Sequence, residues 1–147
     1  MIAVGSPAPE FEAPDQDGRP FRLSSLRGAP VVLYFYPQAD TPGCTRESQG
    51  FQEQLAEFTK HGVRVVGVSV DDCPAQKAFA QKYGLSFPLI ADSKKEVATR
   101  FGVLGPGGKA RRVTFLIDRA GAVIEVVDNA PTATAHVERA AARFLKA

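Results

Sequence analysis

The sequence predicts an α/β protein with a central mixed β-sheet, helices on both faces and an N-terminal β-hairpin extension. Three observations carry this. Val31 to Tyr36 (VVLYFY) and Val63 to Val70 (VRVVGVSV) are short, dense runs of β-branched and aromatic residues, the pattern of strands buried on both faces in a parallel sheet. The segments that follow them, TRESQGFQEQLAEFTK and AQKAFAQKYG, read as helices, with Phe51, Leu55 and Phe58 recurring at helical spacing in the first. Two later strand-like runs, Arg111 to Ile117 and Val123 to Val127, are joined by Asp118-Arg119-Ala120-Gly121, a hairpin signature.

The elements follow in order. Phe11 and Phe21 flank the turn residues Asp15-Gln16-Asp17-Gly18, which predicts the N-terminal hairpin. Ser24 to Gly28 reads as a single helical turn, capped by serine and stopped by glycine. The first buried strand stops at Pro37, which has no N–H to give to a ladder. Asp40 to Gly43 supply turn chemistry, Cys44 falls just ahead of the first long helix, and that helix ends near His61-Gly62. After the second strand, Asp71-Asp72-Cys73-Pro74 opens another helix, with proline where a first turn tolerates it. Phe87 to Ala91 is a short strand and Lys94 to Phe101 a short helix. Thr132 to Lys146 is an amphipathic final helix with Val137, Ala140, Ala141, Phe144 and Leu145 as its apolar stripe. No repeat, linker or low-complexity segment interrupts this order, so residues 1–147 are expected to form one domain.

Composition narrows the function. A chain of 147 residues can bury a core without staples. A net charge of +2 with no basic block argues against nucleic acid or a membrane surface as partner. The opening MIAVGSPAPEF lacks the basic and apolar regions of a signal peptide, and two cysteines without such a signal suit a reducing compartment, so the cytoplasm is expected. His61 and His136 show no metal-ligand spacing, and no metal or cofactor is expected. Gly102 to Lys109 lacks the glycine spacing of a phosphate loop and has Ala110 where Ser or Thr is needed. It reads instead as a flexible connection that could alter access to a pocket. No exposed apolar face stands out, and a monomer is expected.

What remains is thiol chemistry. A helix N-terminus offers N–H groups without intrahelical partners and partial positive charge, both of which favour thiolate, the nucleophilic form of cysteine. Against this stands the plainer reading of Cys44 as a small buried hydrophobe. In open α/β sheets, sites gather at the carboxyl ends of the central parallel strands. Cys44 follows the first such strand and Cys73 the second.

The pattern Pro37-x-x-x-Thr41-x-x-Cys44 within FYPQADTPGCTRE resembles the active-site motif of the peroxiredoxins. With Val70-Asp71, Phe87-Pro88-Leu89 and Arg112-Val113-Thr114-Phe115-Leu116-Ile117-Asp118, the likeness extends over nearly the whole chain to the bacterioferritin comigratory protein, or PrxQ, branch. That resemblance implies a thioredoxin-like fold and thiol-dependent reduction of hydrogen peroxide and organic hydroperoxides. It implies Cys44 as the sulfur that attacks peroxide oxygen and becomes a sulfenic acid.

The roles around that sulfur make chemical sense. Thr41 can hydrogen-bond the peroxide oxygens, and the N–H groups of Cys44 and Gly43 add donors at the helix start. Arg112 would supply permanent positive charge, Pro37 would cover the sulfur, and Glu47 could orient Arg112. Each has a plainer alternative: Thr41 a turn residue, Pro37 a strand terminator, Glu47 an acid favouring the helix dipole. Arg111 and Arg112, adjacent on a strand, should point to opposite faces, and the family register selects Arg112. Tyr34, Phe35 and Tyr36 are expected to be core and pocket wall.

The resolving step departs from the family pattern. Relatives carry a second cysteine where this chain has Gln49, or at a position aligned with Ala80. Here the other thiol is Cys73, either a resolving cysteine or a helix-start residue without catalytic duty. Crossovers running in opposite directions would place the two helices on opposite faces, so a Cys44–Cys73 bridge would need local unwinding. Otherwise a small thiol or a thioredoxin-like partner would attack the sulfenic acid. Two further readings stay open: a thiol–disulfide oxidoreductase, although Glu47 stands where Cys-x-x-Cys needs cysteine, and a non-catalytic binding or holdase module.

Overall fold

The computed structural model describes residues 1–145, so the expected helix end at Lys146 lies outside the described residues. The N-terminal hairpin forms as expected, β1 (Glu12–Pro14) against β2 (Pro20–Arg22) with Ala13 opposite Phe21. Its turn is held by Asp15, whose Oδ1 accepts from the N–H groups of Asp17 and Arg19. A short 3-10 turn follows at Leu23–Leu26, but serine does not cap it. Arg22 is its N-cap residue, and the Ser25 hydroxyl donates to the Arg22 carbonyl.

The remaining elements are β3 (Val31–Phe35), α1 (Pro42–Lys60), β4 (Arg64–Ser69), α2 (Cys73–Tyr83), β5 (Leu89–Ala91), α3 (Glu96–Phe101), β6 (Val113–Ile117), β7 (Val123–Val127) and α4 (Ala133–Phe144). Five strands make one mixed sheet in the order β5-β4-β3-β6-β7. β3, β4 and β5 are parallel, while β6 runs antiparallel to β3 and β7 to β6. Every residue of β3 is buried, which is why its sequence is apolar throughout rather than alternating.

The strand order corrects one expectation. The crossovers from β3 to β4 and from β4 to β5 run in the same direction, not opposite ones, so right-handed connections put α1 and α2 on the same face. Packing agrees. Phe51 and Phe58 of α1, Phe79 of α2 and Val137 and Ala140 of α4 share one cluster with Val32, Tyr34, Tyr36 and Leu116. The other face carries α3 and the N-terminal segment, with Phe11 and Phe101 packed on Leu33, Phe35, Val66 and Phe115. Tyr34 stacks on Phe51 at 4.5 Å between ring centroids, pinning the middle of α1 to β3. Cutting a buried ring of this kind back to alanine costs about 3–5 kcal/mol in a core.

Two details bear on the site. β6 starts at Val113, so Arg111 and Arg112 precede the strand rather than lie within it. Because Phe35 pairs with Val113 in antiparallel register, that entry to β6 lies beside the exit of β3. The Gly102–Lys109 connection is closed by a bridge between Leu104 and Ala110 and a hydrogen bond from the Gly105 N–H to the Lys109 carbonyl. Lys109 Nζ donates to Gln38 Oε1 at 2.5 Å, so this connection touches the loop that follows β3.

Candidate active site

The chain leaves β3 at the half-buried Pro37 and crosses the sheet edge to Thr41, the N-cap residue of α1. The helix begins at Pro42, two residues before Cys44 rather than just after it, so Gly43 and Cys44 lie in the first turn. There their N–H groups have no intrahelical carbonyl to reach. Thr41 does not cap the helix with its side chain; its hydroxyl donates to the Gln38 carbonyl at 2.9 Å. The loop is tied down from the β4–α2 side. The Ala39 N–H donates to Asp71 Oδ2 at 2.8 Å, and Asp40, at φ 60°, accepts from the Tyr83 hydroxyl and Lys82 Nζ.

Cys44 is 1% exposed, and the Arg112 guanidinium meets it. Nη2 donates to Sγ at 3.3 Å while Nη1 donates to Glu47 Oε1 at 2.6 Å. This sets a permanent positive charge and an N–H donor directly against the sulfur. Arg111 diverges, as expected, to both carboxylate oxygens of Asp128 at 2.9 and 2.8 Å. Gly43 makes this approach possible: a Cβ there would lie 3.1 Å from Arg112 Nη2.

Behind the arginine is a buried polar group. Glu47 is fully buried, and among the described residues its Oε2 has no hydrogen-bond partner. His136 Nδ1 lies 3.7 Å from that oxygen and 2.8 Å from Thr114 Oγ1. Burial pushes the Glu47 carboxyl up to about 8, against the pull of the Arg112 charge and hydrogen bond. Burial, followed by repulsion from Arg112, pushes His136 down to about 4. Tyr34 and Tyr36 wall the site with hydroxyls held by Ser48 and Gln76, and burial raises both phenols so that they stay protonated.

Cys44, Arg112, Glu47 and Gly43 are thus brought together, with Thr41 and Pro37 on the loop that leads into them. Cys73 is apart from this group as the first residue of α2, half-buried, and both thiols are free. Sequence reasoning missed Thr114 and His136. A signal for the histidine exists: it adjoins Val137 and lies four residues before Ala140, so it falls on the stripe that α4 buries. Among the described residues no three His, Cys, Asp or Glu side chains form a cluster able to hold a metal ion, and no helix is long and apolar enough to cross a membrane.

A cysteine in the first turn of a helix, at the carboxyl edge of a mixed sheet and under a guanidinium, defines a thiol-chemistry protein of the thioredoxin-like class. The chain belongs to the AhpC/TSA family, which matches residues 4–126. It is 40% identical over 139 residues to the chloroplastic peroxiredoxin Q of Sedum lineare, covering 93% of this chain and 75% of that protein. For the corresponding protein of Triticum aestivum the covered share falls to 60%. Among solved structures, the peroxidoxin BcpB of Mycobacterium tuberculosis superposes with a TM-score of 0.92 at 38% identity, covering 100% of both chains. The bacterioferritin comigratory protein of Xanthomonas campestris, described for its alkyl peroxide reduction activity, superposes at 0.83 with 30% identity, covering 90% of this chain and 88% of its own.

Proposed function

We infer that the protein is a thiol-dependent peroxidase, an oxidoreductase that reduces hydrogen peroxide and organic hydroperoxides with Cys44 as the attacking sulfur. The observation that carries this is the Arg112 donor 3.3 Å from Sγ at a helix start. In the reaction the thiolate takes the terminal oxygen of ROOH. An S–O bond forms, the O–O bond breaks, and RO⁻ leaves to be protonated to ROH, with Cys44 left as a sulfenic acid. Negative charge moves from sulfur to the departing oxygen. The guanidinium and the N–H groups of the first turn can stabilise it at both ends. Thr41 gives its proton to Gln38 and keeps lone pairs free, so its hydroxyl can accept from the peroxide O–H and fix the line of attack.

The sulfenic acid is resolved either by Cys73, with loss of water and formation of an internal disulfide that a thioredoxin-like or small-thiol reductant reopens, or by such an external thiol attacking it directly. Support for Cys73 comes from the fold: α1 and α2 pack on the same face, and Cys44 and Cys73 each stand in the first turn of a helix that follows one of the paired parallel strands β3 and β4. Thiol–disulfide exchange of the Cys-x-x-Cys kind has no second thiol to use here, because Glu47 occupies that position and is bound to Arg112. Peroxide consumption with a thiol reductant tests the assignment. Wild type should turn over and Cys44→Ser should fall to the uncatalysed background, while equal rates would overturn the reading.

A further inference from the structure

The site as described leaves one polar atom unused. Glu47 engages Arg112 through Oε1, while Oε2 is buried without a hydrogen bond and has His136 Nδ1 3.7 Å away. His136 is 1% exposed and anchored by Thr114 Oγ1 at 2.8 Å. It also lines a hollow of about 250 Å³ with Arg111, Arg112, Asp128, Asn129 and Ala130. The hollow is open to solvent, and of the pair it is His136 that lines it.

The groups facing the pair come from every element around it. Cys44 and Ser48 lie on α1, and the Tyr34 hydroxyl on β3 is held by Ser48. Arg112 and Thr114 belong to the β6 side, Asp128 follows β7, and Arg139 is on α4. Asp128 is taken by Arg111 at 2.8 Å and Arg139 by Glu125 at 2.6 Å, which leaves Arg112 as the cation in contact with Glu47. A carboxylate with one unpaired buried oxygen is disfavoured when charged, yet its charge is what strengthens the hold on Arg112. The balance between these decides how the guanidinium presents itself to the sulfur.

We propose that His136 is a positioning residue for the Cys44 thiolate: with Glu47 it forms a buried pair that exchanges one proton with solvent through the adjoining hollow, and the charge left on Glu47 sets how much of the Arg112 charge reaches the sulfur. With Glu47 neutral, Nη1 still donates to Oε1 but faces no opposing charge there, and the sulfur has the guanidinium's charge to itself. With Glu47 ionised, it is shared. The proposal rests on Cys44 being the reacting thiol.

The test is the rate of Cys44 alkylation by iodoacetamide against pH, in a Cys73→Ser background so that one thiol reacts. A rise as the thiol ionises should be followed by a fall of about threefold through a second transition near pH 8. Glu47→Gln should lack that second transition. His136→Gln places an amide donor beside Oε2 and should move it down by about one pH unit; His136→Leu removes the polar neighbour and should move it up by about as much. A merely structural histidine would not give shifts of opposite sign. Independently of those variants, the side-chain carboxyl ¹³C resonance of Glu47, identified by its loss in Glu47→Gln, should titrate above neutral pH. A resonance titrating in the ordinary carboxylate range, or a second transition that neither His136 variant moves, overturns the proposal. Alkylation needs no peroxide. Retained transitions without peroxide turnover would therefore refute the peroxidase reading alone, and turnover with a single transition would refute this one alone.

Discussion

Arg112 and Cys44 are 68 residues apart in the chain, yet the guanidinium Nη2 lies 3.3 Å from the sulfur. The contact follows from the sheet. β3 and β6 are antiparallel with Phe35 opposite Val113, so the residue that enters β6 stands beside the loop that leaves β3. Arg112 spends its fork on two partners, Cys44 and Glu47, which an ammonium on a flexible stem cannot reproduce. Arg112→Lys should lower the second-order rate constant with peroxide by about 10-fold to 100-fold, and Arg112→Met by about 100-fold to 1,000-fold. Stopped-flow measurement of peroxide reaction with the reduced protein separates this from any effect on reduction. A lysine variant with full rate would mean that charge alone, not the fork, supports the thiolate.

The fate of the sulfenic acid is a matter of mass. Both thiols are free in the reduced protein, and Cys73 begins the helix that follows the neighbouring strand, β4. Cys44 turns instead toward Arg112 at the entry to β6, across β3 from β4. Bridging therefore requires Cys44 Sγ to leave Arg112. After one equivalent of peroxide the intact protein should be lighter by two hydrogens, and Cys73→Ser should instead gain one oxygen. A wild-type product that keeps the added oxygen would assign reduction to an external thiol, and a covalent dimer would assign it to a second copy.

Thr41 separates a hydroxyl role from a packing role. Its proton is committed to the Gln38 carbonyl at 2.9 Å, so what it offers a peroxide is an acceptor. Thr41→Ser keeps that acceptor and should retain the rate within about threefold, whereas Thr41→Val keeps the shape and should lose about 100-fold. Equal rates for serine and valine would remove the hydroxyl from the mechanism.

How much of this could be read from the chain depends on whether the information is local. Cys44 at the end of a buried strand and the start of a helix is a local pattern, and so is the hairpin around Asp118 to Gly121. Arg112 was separable from Arg111 only through family register, because an alternating strand says that the two diverge but not which one meets the sulfur. The placement of α1 and α2 on one face was not legible at all, since it depends on β5 lying beyond β4 rather than back across β3. Glu47 shows a different limit. A helix-start acid favours the dipole or an arginine equally well on sequence, and full burial beside Arg112 at 2.6 Å decides between them. His136 carried its signal in the α4 stripe, but a titratable residue among alanines looks like a surface residue until the partner face is known.

Glu47 and His136 should give stability opposite slopes with pH. Folded Glu47 keeps its proton to about pH 8, while the unfolded chain releases it near 4.5; between those values the unfolded state binds fewer protons, and stability falls as pH rises. Folded His136 stays neutral down to about pH 4, while the unfolded chain takes up a proton below 6.5, so stability is lost as pH falls through that window. The slopes oppose each other from 4.5 to 6.5, and above 6.5 only the Glu47 decline remains. Each slope is at most about 1.4 kcal/mol per pH unit. Urea unfolding at stepped pH should show wild type losing stability from pH 6.5 to 8, Glu47→Gln flat over that range, and His136→Gln declining from about 4.5 onward. A wild-type profile that rises toward pH 8 would place an ionised Glu47 in the folded protein throughout.

Gly43 offers the sharpest division between folding and chemistry. It lies in the first turn of α1, where alanine is the better helix former by up to about 1 kcal/mol. Its backbone is not in the left-handed region, so a Cβ brings no conformational strain. What the Cβ does meet is Arg112 Nη2 at 3.1 Å, closer than a relaxed contact allows. The guanidinium cannot retreat freely, because Nη1 is bound to the buried Glu47. Gly43→Ala should therefore fold with equal or slightly higher thermal stability while its rate constant with peroxide drops about tenfold. A second substitution, Glu47→Ala, removes the oxygen that holds Nη1, which loosens the arginine and should restore part of that loss. Gly43→Ala with an unchanged rate would show that Arg112 can stand off from the sulfur without consequence, which the charge argument forbids.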